Sequence, residues 1–309
     1  MKSILVTSYE NPDLDAVACI VAYAEFLEKS DKSAIGGVVG KQHDEARYVL
    51  DRFNLQYPQE ISNADNFDEV VLVDASDIHD LKGADASVKI IEVIDHRKVN
   101  EADKFFNAKV QIELVGAAAT LVAEKFIQSG VDISKGAATL LYAAIISNTL
   151  NFKGSVTTNR DREAAVWLNK IAELPESFSK DLFTAKSNLS GQKLAERIGS
   201  DFKKFTIGGK SVGIAQVEII DAKKLLEERS DEIVQELYKI QKSQLLDYIF
   251  QNTLDLEDEK TFFVTNDIGT KELLERGLNV TFQGPVAERS GLILRKQVIP
   301  LLMQQFEQK

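Results

Sequence analysis

Residues 4–29 read ILVTSYENPDLDAVACIVAYAEFLEK, and the change of rhythm inside that stretch decides the fold class. Ile4 to Ser8 is a short, β-branched apolar run of the kind needed by a strand buried on both faces. Asp13 to Lys29 then spaces its apolar residues as a helix does, with Asn11 suited to the N-cap and Pro12 to the first helical position. A buried strand passing straight into a helix opens a βαβ unit. The same alternation continues outward. Residues 34–39 (AIGGVV), 70–74 (VVLVD) and 89–95 (KIIEVID) read as further buried strands, and Gln42–Phe53 and a shorter piece at Asp77–Leu81 read as helices. The order predicts an α/β fold whose N-terminal, three-layer domain holds a mainly parallel, doubly wound sheet.

Farther along, Gly116 to about Lys186 reads as largely helical, broken near Gly130 and Gly154–Thr158. The polar text SNLSG begins at Ser187. Beyond it, strand patterns at 212–219 and 261–266 alternate with helical patterns at 221–251 and 268–277. A chain of 309 residues exceeds what one core usually serves. We therefore expect a catalytic domain over 1–186, a linker at 187–192, and a smaller C-terminal α/β domain over 193–309.

A composition of 44% hydrophobic and 28% charged residues is that of an ordinary globular protein, with no bias toward disorder. The opening residues carry too short an apolar run for a signal peptide or a membrane anchor, which predicts a cytoplasmic protein without a membrane partner. A net charge of −11, without any basic, aromatic-interleaved stretch, argues against a nucleic-acid polymer as partner. Small anions stay compatible with that charge where metal ions reverse the local potential. The single cysteine, Cys19, sits among apolar residues and reads as an inert buried thiol.

The acidic residues near predicted strand ends carry the chemistry. Asp13 and Asp15 fall just after the first strand, Asp74 closes VVLVD, and Asp95-His96 closes KIIEVID. In a doubly wound sheet these carboxyl ends converge on one crevice, where ligands bind. Each residue alone has a plainer explanation: a first-turn charge for Asp13, a turn former for Asp74, a core histidine for His96. Their common position at successive strand ends favours the joint one. Residues two apart on a helix point in different directions, so Asp13 and Asp15 suit two neighbouring ions bridged by a third group. Oxygen ligands with one imidazole fit Mn2+, Mg2+ or Co2+ better than structural zinc. Two such ions can activate water against a phosphoryl group.

Four ordered stretches resemble the motifs of the DHH phosphoesterases, and most closely those of manganese-dependent, family II inorganic pyrophosphatases. They are NPDLD (11–15), VLVD (ending at Asp74), IDHR (94–97) and AAIISNTLNFKGSVTTNRD (143–161). The resemblance implies metal ligation by Asp13, Asp15, Asp74, His96 and Asn148. It implies catalytic roles for Asp13, Asp15, Asp74, His96 and Arg97, and substrate contacts from Arg97. In the second half, DFKKF (201–205) and LRKQVIP (294–300) resemble the substrate-clamping domain of the same enzymes, which implies that Lys203, Arg295 and Lys296 bind substrate. The chain departs from the pattern at Tyr9 and Asn148, where the relatives carry a metal-binding histidine and an aspartate. It departs again at Arg97, which replaces the second histidine of the triplet. With these losses the two metal sites are expected to differ in affinity.

The expected reaction is hydrolysis of a small phosphoanhydride, pyrophosphate or short polyphosphate, by metal-activated water. A small-nucleotide phosphodiesterase and a catalytically weakened phosphate sensor are the alternatives. Similar pyrophosphatases are often dimers, so a homodimer is the assembly the resemblance implies. GGVVGK (36–41) lacks the first glycine and the Ser/Thr of a phosphate-binding loop and reads as a plain strand. His43 and His79 stand alone beside acidic residues and read as surface positions, although His79, five residues after Asp74, could reach the crevice rim. The run from Asp231 to Phe250 reads as an amphipathic helix face with its Tyr and Leu in a core.

Overall fold

The computed structural model describes residues 3–62, 64, 66–77, 89–98, 100–189 and 193–307. The chain forms two compact units, Met1–Leu182 and Phe183–Lys309. In the first, strands β1 (Ile4–Thr7), β2 (Ala34–Val38), β3 (Gln59–Glu60), β4 (Glu69–Val73), β5 (Ile90–Asp95) and β6 (Lys109–Ile112) make one sheet. Its order is β3-β2-β1-β4-β5-β6, and every pairing is parallel. All four residues of β1 are buried, as befits the strand at the middle of the sheet. The polar edge strands β3 and β6 have no apolar run and were not expected from the sequence. Helix α1 (Leu14–Lys29) follows β1, and α2 (Asp44–Arg52) follows β2.

The expectation for the start of α1 needs correcting. Asp13, not Asn11, is the N-cap, and its side chain accepts from the backbone of Asp15 and Ala16. Asn11 instead has φ 56°. An Asn tolerates that left-handed backbone better than most residues, and it turns the chain before Pro12. Of the short helix expected at Asp77–Leu81, residues 78–81 lie outside the described residues, as does His79. The helical stretch resolves into α3 (Ala118–Ser129), α4 (Lys135–Asn148), α5 (Asn159–Ala172) and α6 (Phe178–Lys186). α1 packs against α3 and α4. Almost every residue from Ala137 to Ser147 is buried, which explains why α4 is apolar on all sides.

The second unit opens with α7 (Lys193–Ser200), then β7 (Phe202–Ile207), β8 (Lys210–Ile219), α8 (Ala222–Gln244), β9 (Tyr248–Asp255), β10 (Lys260–Val264), α9 (Ile268–Leu278), β11 (Phe282–Gln283), β12 (Val286–Ser290) and α10 (Arg295–Glu307). Its sheet has the order β11-β12-β10-β9-β8-β7 and is antiparallel except for β8 and β9, which run parallel. Alternate residues feed two cores. Ala215, Val217, Ile249, Phe262 and Val264 meet Leu226, Ile233 and Leu237 of α8 on one face. Val212, Ile214, Phe250 and Phe263 meet Leu273, Leu274, Val298 and Leu302 on the other.

The helix expected over 221–251 stops at Gln244, and Tyr248–Phe250 belong to β9. A short apolar run does not distinguish helix from strand by its spacing alone. Nor do Tyr238 and Leu245 join a core, since they are 59% and 84% exposed.

Candidate metal centre

The strand order of the first unit reverses between β1 and β4, so the loops leaving these two strands part to opposite sides and open a crevice at their carboxyl ends. The acids lie there. Asp15 stands in the first turn of α1, Asp74 follows β4, and Asp95 and His96 end β5. One ligand atom each from Asp15, Asp74 and His96 falls within 4.8 Å of the others. Nε2 of His96 lies 3.5 Å from Asp74 Oδ1 and 3.8 Å from Asp15 Oδ2. Asp15 is fully buried, and Asp74 is 3% exposed.

Three backbone features place these side chains. Asp74 itself adopts φ 52°, a left-handed torsion that turns the chain sharply off the strand while its N–H still bonds Ile94 O at 2.8 Å. Asp95 is buried and organises the turn after β5. It accepts from the backbone N–H of His96 at 2.6 Å and of Arg97 at 3.3 Å, and from the Ser76 hydroxyl. Nδ1 of His96 lies 3.0 Å from Val115 O, a carbonyl that can only accept, so Nδ1–H donates there and Nε2 is the nitrogen turned to the acids.

Asp15 is held from the far side by the start of α3. Oδ2 accepts from Ala118 N at 2.8 Å and Oδ1 from Ala119 N at 2.9 Å, the donors a helix N-terminus leaves unpaired. Asn148 donates its side-chain amide to Asp15 Oδ2 at 2.7 Å. It thus stands beside Asp15, at the edge of the centre. Asp13 commits Oδ1 to capping α1 and borders the centre electrostatically, where its charge acts on Asp15, Asp74 and Tyr9.

Burial raises the Asp15 carboxyl to about 6 despite the His96 charge and the two α3 donors. Burial, and then Asp15 and Asp13, push Asp74 well above the carboxylate range. Acids this crowded and this dry need a cation to stay ionised together. The donor set of two carboxylate oxygens and one imidazole could hold a divalent cation. Cys19 lies 3.7 Å from Asp15 Oδ1, and burial raises its thiol further out of reach of ionisation.

Arg97 and Tyr9 complete the rim. Nη2 of Arg97 donates to Asp74 O at 2.8 Å, and its guanidinium carbon stands 5.2 Å from the centre of the Tyr9 ring. The Tyr9 hydroxyl donates to Asp74 Oδ2 at 3.4 Å. In the second unit, Lys203 is exposed on β7. Burial lowers the Lys296 ammonium, and Glu218 opposes that effect. Arg295 bonds within its own unit: Nη2 meets Asp201 Oδ1 at 3.0 Å, and Nη1 donates to the carbonyls of Asp201 and Ile214.

Sequence reasoning missed the supporting residues. Asp161, fully buried, accepts from Gly116 N, the Thr120 hydroxyl, and both the N–H and the hydroxyl of Thr158. Gly116 is required there, because a Cβ would stand 2.5 Å from Thr149 Cγ2 and 2.9 Å from Asp161 Oδ2. The Thr158-x-x-Asp161 capping box was the signal available for Asp161. Nothing in the sequence marks Val115, whose contribution is a carbonyl oxygen.

A parallel sheet with an Asp-Asp-His centre at its switch point, followed by a mixed-sheet second unit, defines a two-domain phosphoesterase. Residues 3–145 match the DHH family N-terminal domain and residues 180–305 the DHHA2 domain. The manganese-dependent inorganic pyrophosphatase of Methanothrix thermoacetophila is 31% identical over 312 residues, covering 99% of each chain. A probable manganese-dependent inorganic pyrophosphatase of Exiguobacterium sp. is 32% identical over 307 residues and 98% of each chain. Among solved structures, a Methanococcus jannaschii chain assigned to the family II inorganic pyrophosphatases aligns with a TM-score of 0.77 and 31% identity over 99% of both chains. The chain belongs to the manganese-dependent, family II inorganic pyrophosphatase family.

Proposed function

We propose that this protein hydrolyses the phosphoanhydride bond of inorganic pyrophosphate or a short polyphosphate. The observation that carries the reading is the convergence of Asp15, Asp74 and His96 within 4.8 Å at the sheet's switch point, in a chain similar along its whole length to manganese-dependent pyrophosphatases. A bound divalent ion supplies Lewis acidity and lowers the pKa of water. This triad is the metal position on which the reading rests.

The chain's own groups prepare that chemistry. His96, locked by Val115 O, offers one fixed lone pair. Asp15 is held by two backbone N–H groups and Asn148 without help from an ion. Arg97 lies beside Asp74 as a fixed cation, and a guanidinium so placed suits two phosphate oxygens at once. We assign substrate contact in the second unit to Lys203 and Lys296. Arg295 acts as their positioning residue, because its hydrogen bonds tie the start of α10 to Asp201 and β8. A small, compact phosphate anion is the substrate class that such point charges select.

The test is phosphate release from pyrophosphate, tripolyphosphate, long-chain polyphosphate and dinucleotides, each with Mn2+, Mg2+, Co2+ or EDTA. Turnover of pyrophosphate or tripolyphosphate with Mn2+ and its loss in EDTA are expected. Binding without turnover of any substrate would overturn the assignment.

A further inference from the structure

The two oxygens of Asp74 have different neighbours. Oδ1 faces Nε2 of His96, whereas Oδ2 receives the Tyr9 hydroxyl. An ion sharing Asp74 with the triad's ion would take its place on the Oδ2 side, and that side is built from a neutral phenol and a guanidinium. The Tyr9 ring is not a loose flap, since it packs against the buried cluster of Leu5, Leu72, Val93 and Phe105. Arg97 covers the ring and is pinned at both ends of its head group, by Asp74 O at 2.8 Å and by Asp95 Oδ2 at 3.7 Å. Of the other carboxylates nearby, Asp13 has given one oxygen to the α1 cap, and Asp95 accepts from Ser76 and from the backbone of His96 and Arg97. Among the described residues, the groups that converge for a metal are Asp15, Asp74 and His96.

We propose that Tyr9 and Arg97 together occupy the place of a second ion, so that the protein binds one divalent metal per chain. The Arg97 guanidinium then serves as the other positive charge beside Asp74. The inference rests on the metal-centre reading above. It replaces the expected pair of unequal sites by one site and one permanent cation. A divalent ion on the Oδ2 side would have to displace a phenol anchored in the core and would face a guanidinium that cannot lose its proton. The fixed cation also differs from an ion in kind: a chelator cannot remove it.

The experiment uses the full chain, stripped with EDTA and titrated with Mn2+, read by native mass spectrometry and by electron paramagnetic resonance. The expected result is one Mn2+ per chain at saturation, with the spectrum of an isolated ion. Tyr9→His combined with Arg97→His removes the obstacle and supplies two imidazoles, so it should raise the stoichiometry to two and give an exchange-coupled pair. Two ions or a coupled spectrum in the wild-type chain overturns the inference, and so does the absence of any bound ion. A double variant with an unchanged circular dichroism spectrum that still takes up one ion overturns the assignment of Tyr9 and Arg97 as the obstacle. Phosphate release separates this from the functional reading. Turnover of pyrophosphate with two bound ions sinks the inference alone, and one bound ion without turnover sinks the proposed reaction alone.

Discussion

Nδ1 of His96 lies 3.0 Å from the carbonyl oxygen of Val115, and this single hydrogen bond decides which face of the imidazole meets Asp15 and Asp74. A carbonyl oxygen can only accept, so the bond fixes the ring orientation and keeps a proton on Nδ1.

His96→Ala should abolish the stabilisation that Mn2+ gives the wild-type chain. At a hundredfold excess over its dissociation constant a ligand adds about 2.7 kcal/mol, which in a unit of this size is a rise of roughly 5–10 °C in Tm. Differential scanning calorimetry with and without Mn2+ checks it; a variant that keeps the full shift would remove His96 from the ligand set.

The metal-free protein should lose stability as pH rises from about 4 toward 7. Asp15 has a folded pKa raised from 3.8 to about 6. A raised carboxyl contributes stability fully below its unfolded pKa, and that contribution disappears as pH climbs through the folded value. Asp74, shifted the same way, extends the window upward. The Asp15 part is at most about 3 kcal/mol. Melting curves in EDTA at several pH values, wild type against Asp15→Asn, isolate it, because the amide has no proton to lose. Added Mn2+ should reverse the trend, since a cation binds the carboxylate form.

Asp161→Ala should act at a distance from the centre. Removing this carboxylate leaves Gly116 N, the Thr120 hydroxyl and Thr158 without their acceptor, at a cost of about 2–4 kcal/mol. Gly116 leads into the α3 turn that grips Asp15, so Mn2+ affinity should also fall, by roughly tenfold. Urea denaturation and calorimetric titration read the two effects separately.

Arg295→Ala should destabilise the second unit by about 2–3 kcal/mol, as it strands the carbonyls of Asp201 and Ile214 and unpairs Asp201. Arg295→Lys should recover little of this, because an ammonium cannot reproduce the fork. A Lys variant of wild-type stability in urea would contradict the anchoring role.

The strands beneath the centre were legible because burial on both faces writes itself as an unbroken apolar run. Ile4–Thr7 and Glu69–Val73 needed no tertiary information. The edge strands at 59–60 and 109–112 were not, since half-exposed strands carry mixed residues. The acids at the strand ends could be gathered from topology alone. What could not be read was their division of labour. Asp13 as a cap, Asp95 as the organiser of a turn and Asn148 as a donor to Asp15 depend on which oxygen faces which N–H. Identity and spacing are silent on that point. Arg295 shows the same limit: its motif position marks a cation, and its hydrogen bonds to Asp201 and to Ile214 O of β8 depend on tertiary placement.

The torsion at Asp74 bears on which residues the position accepts. With φ at 52° the backbone admits Gly, Asn and Asp most readily. Glycine brings no ligand, and asparagine brings no charge. Glutamate would reach a methylene farther, and the chain accepts it at this same torsion at Glu173 and Glu259. Side-chain length, rather than the torsion, thus separates the two acids, and with the shorter one the turn sets the spacing between carboxylate and imidazole before any cation arrives.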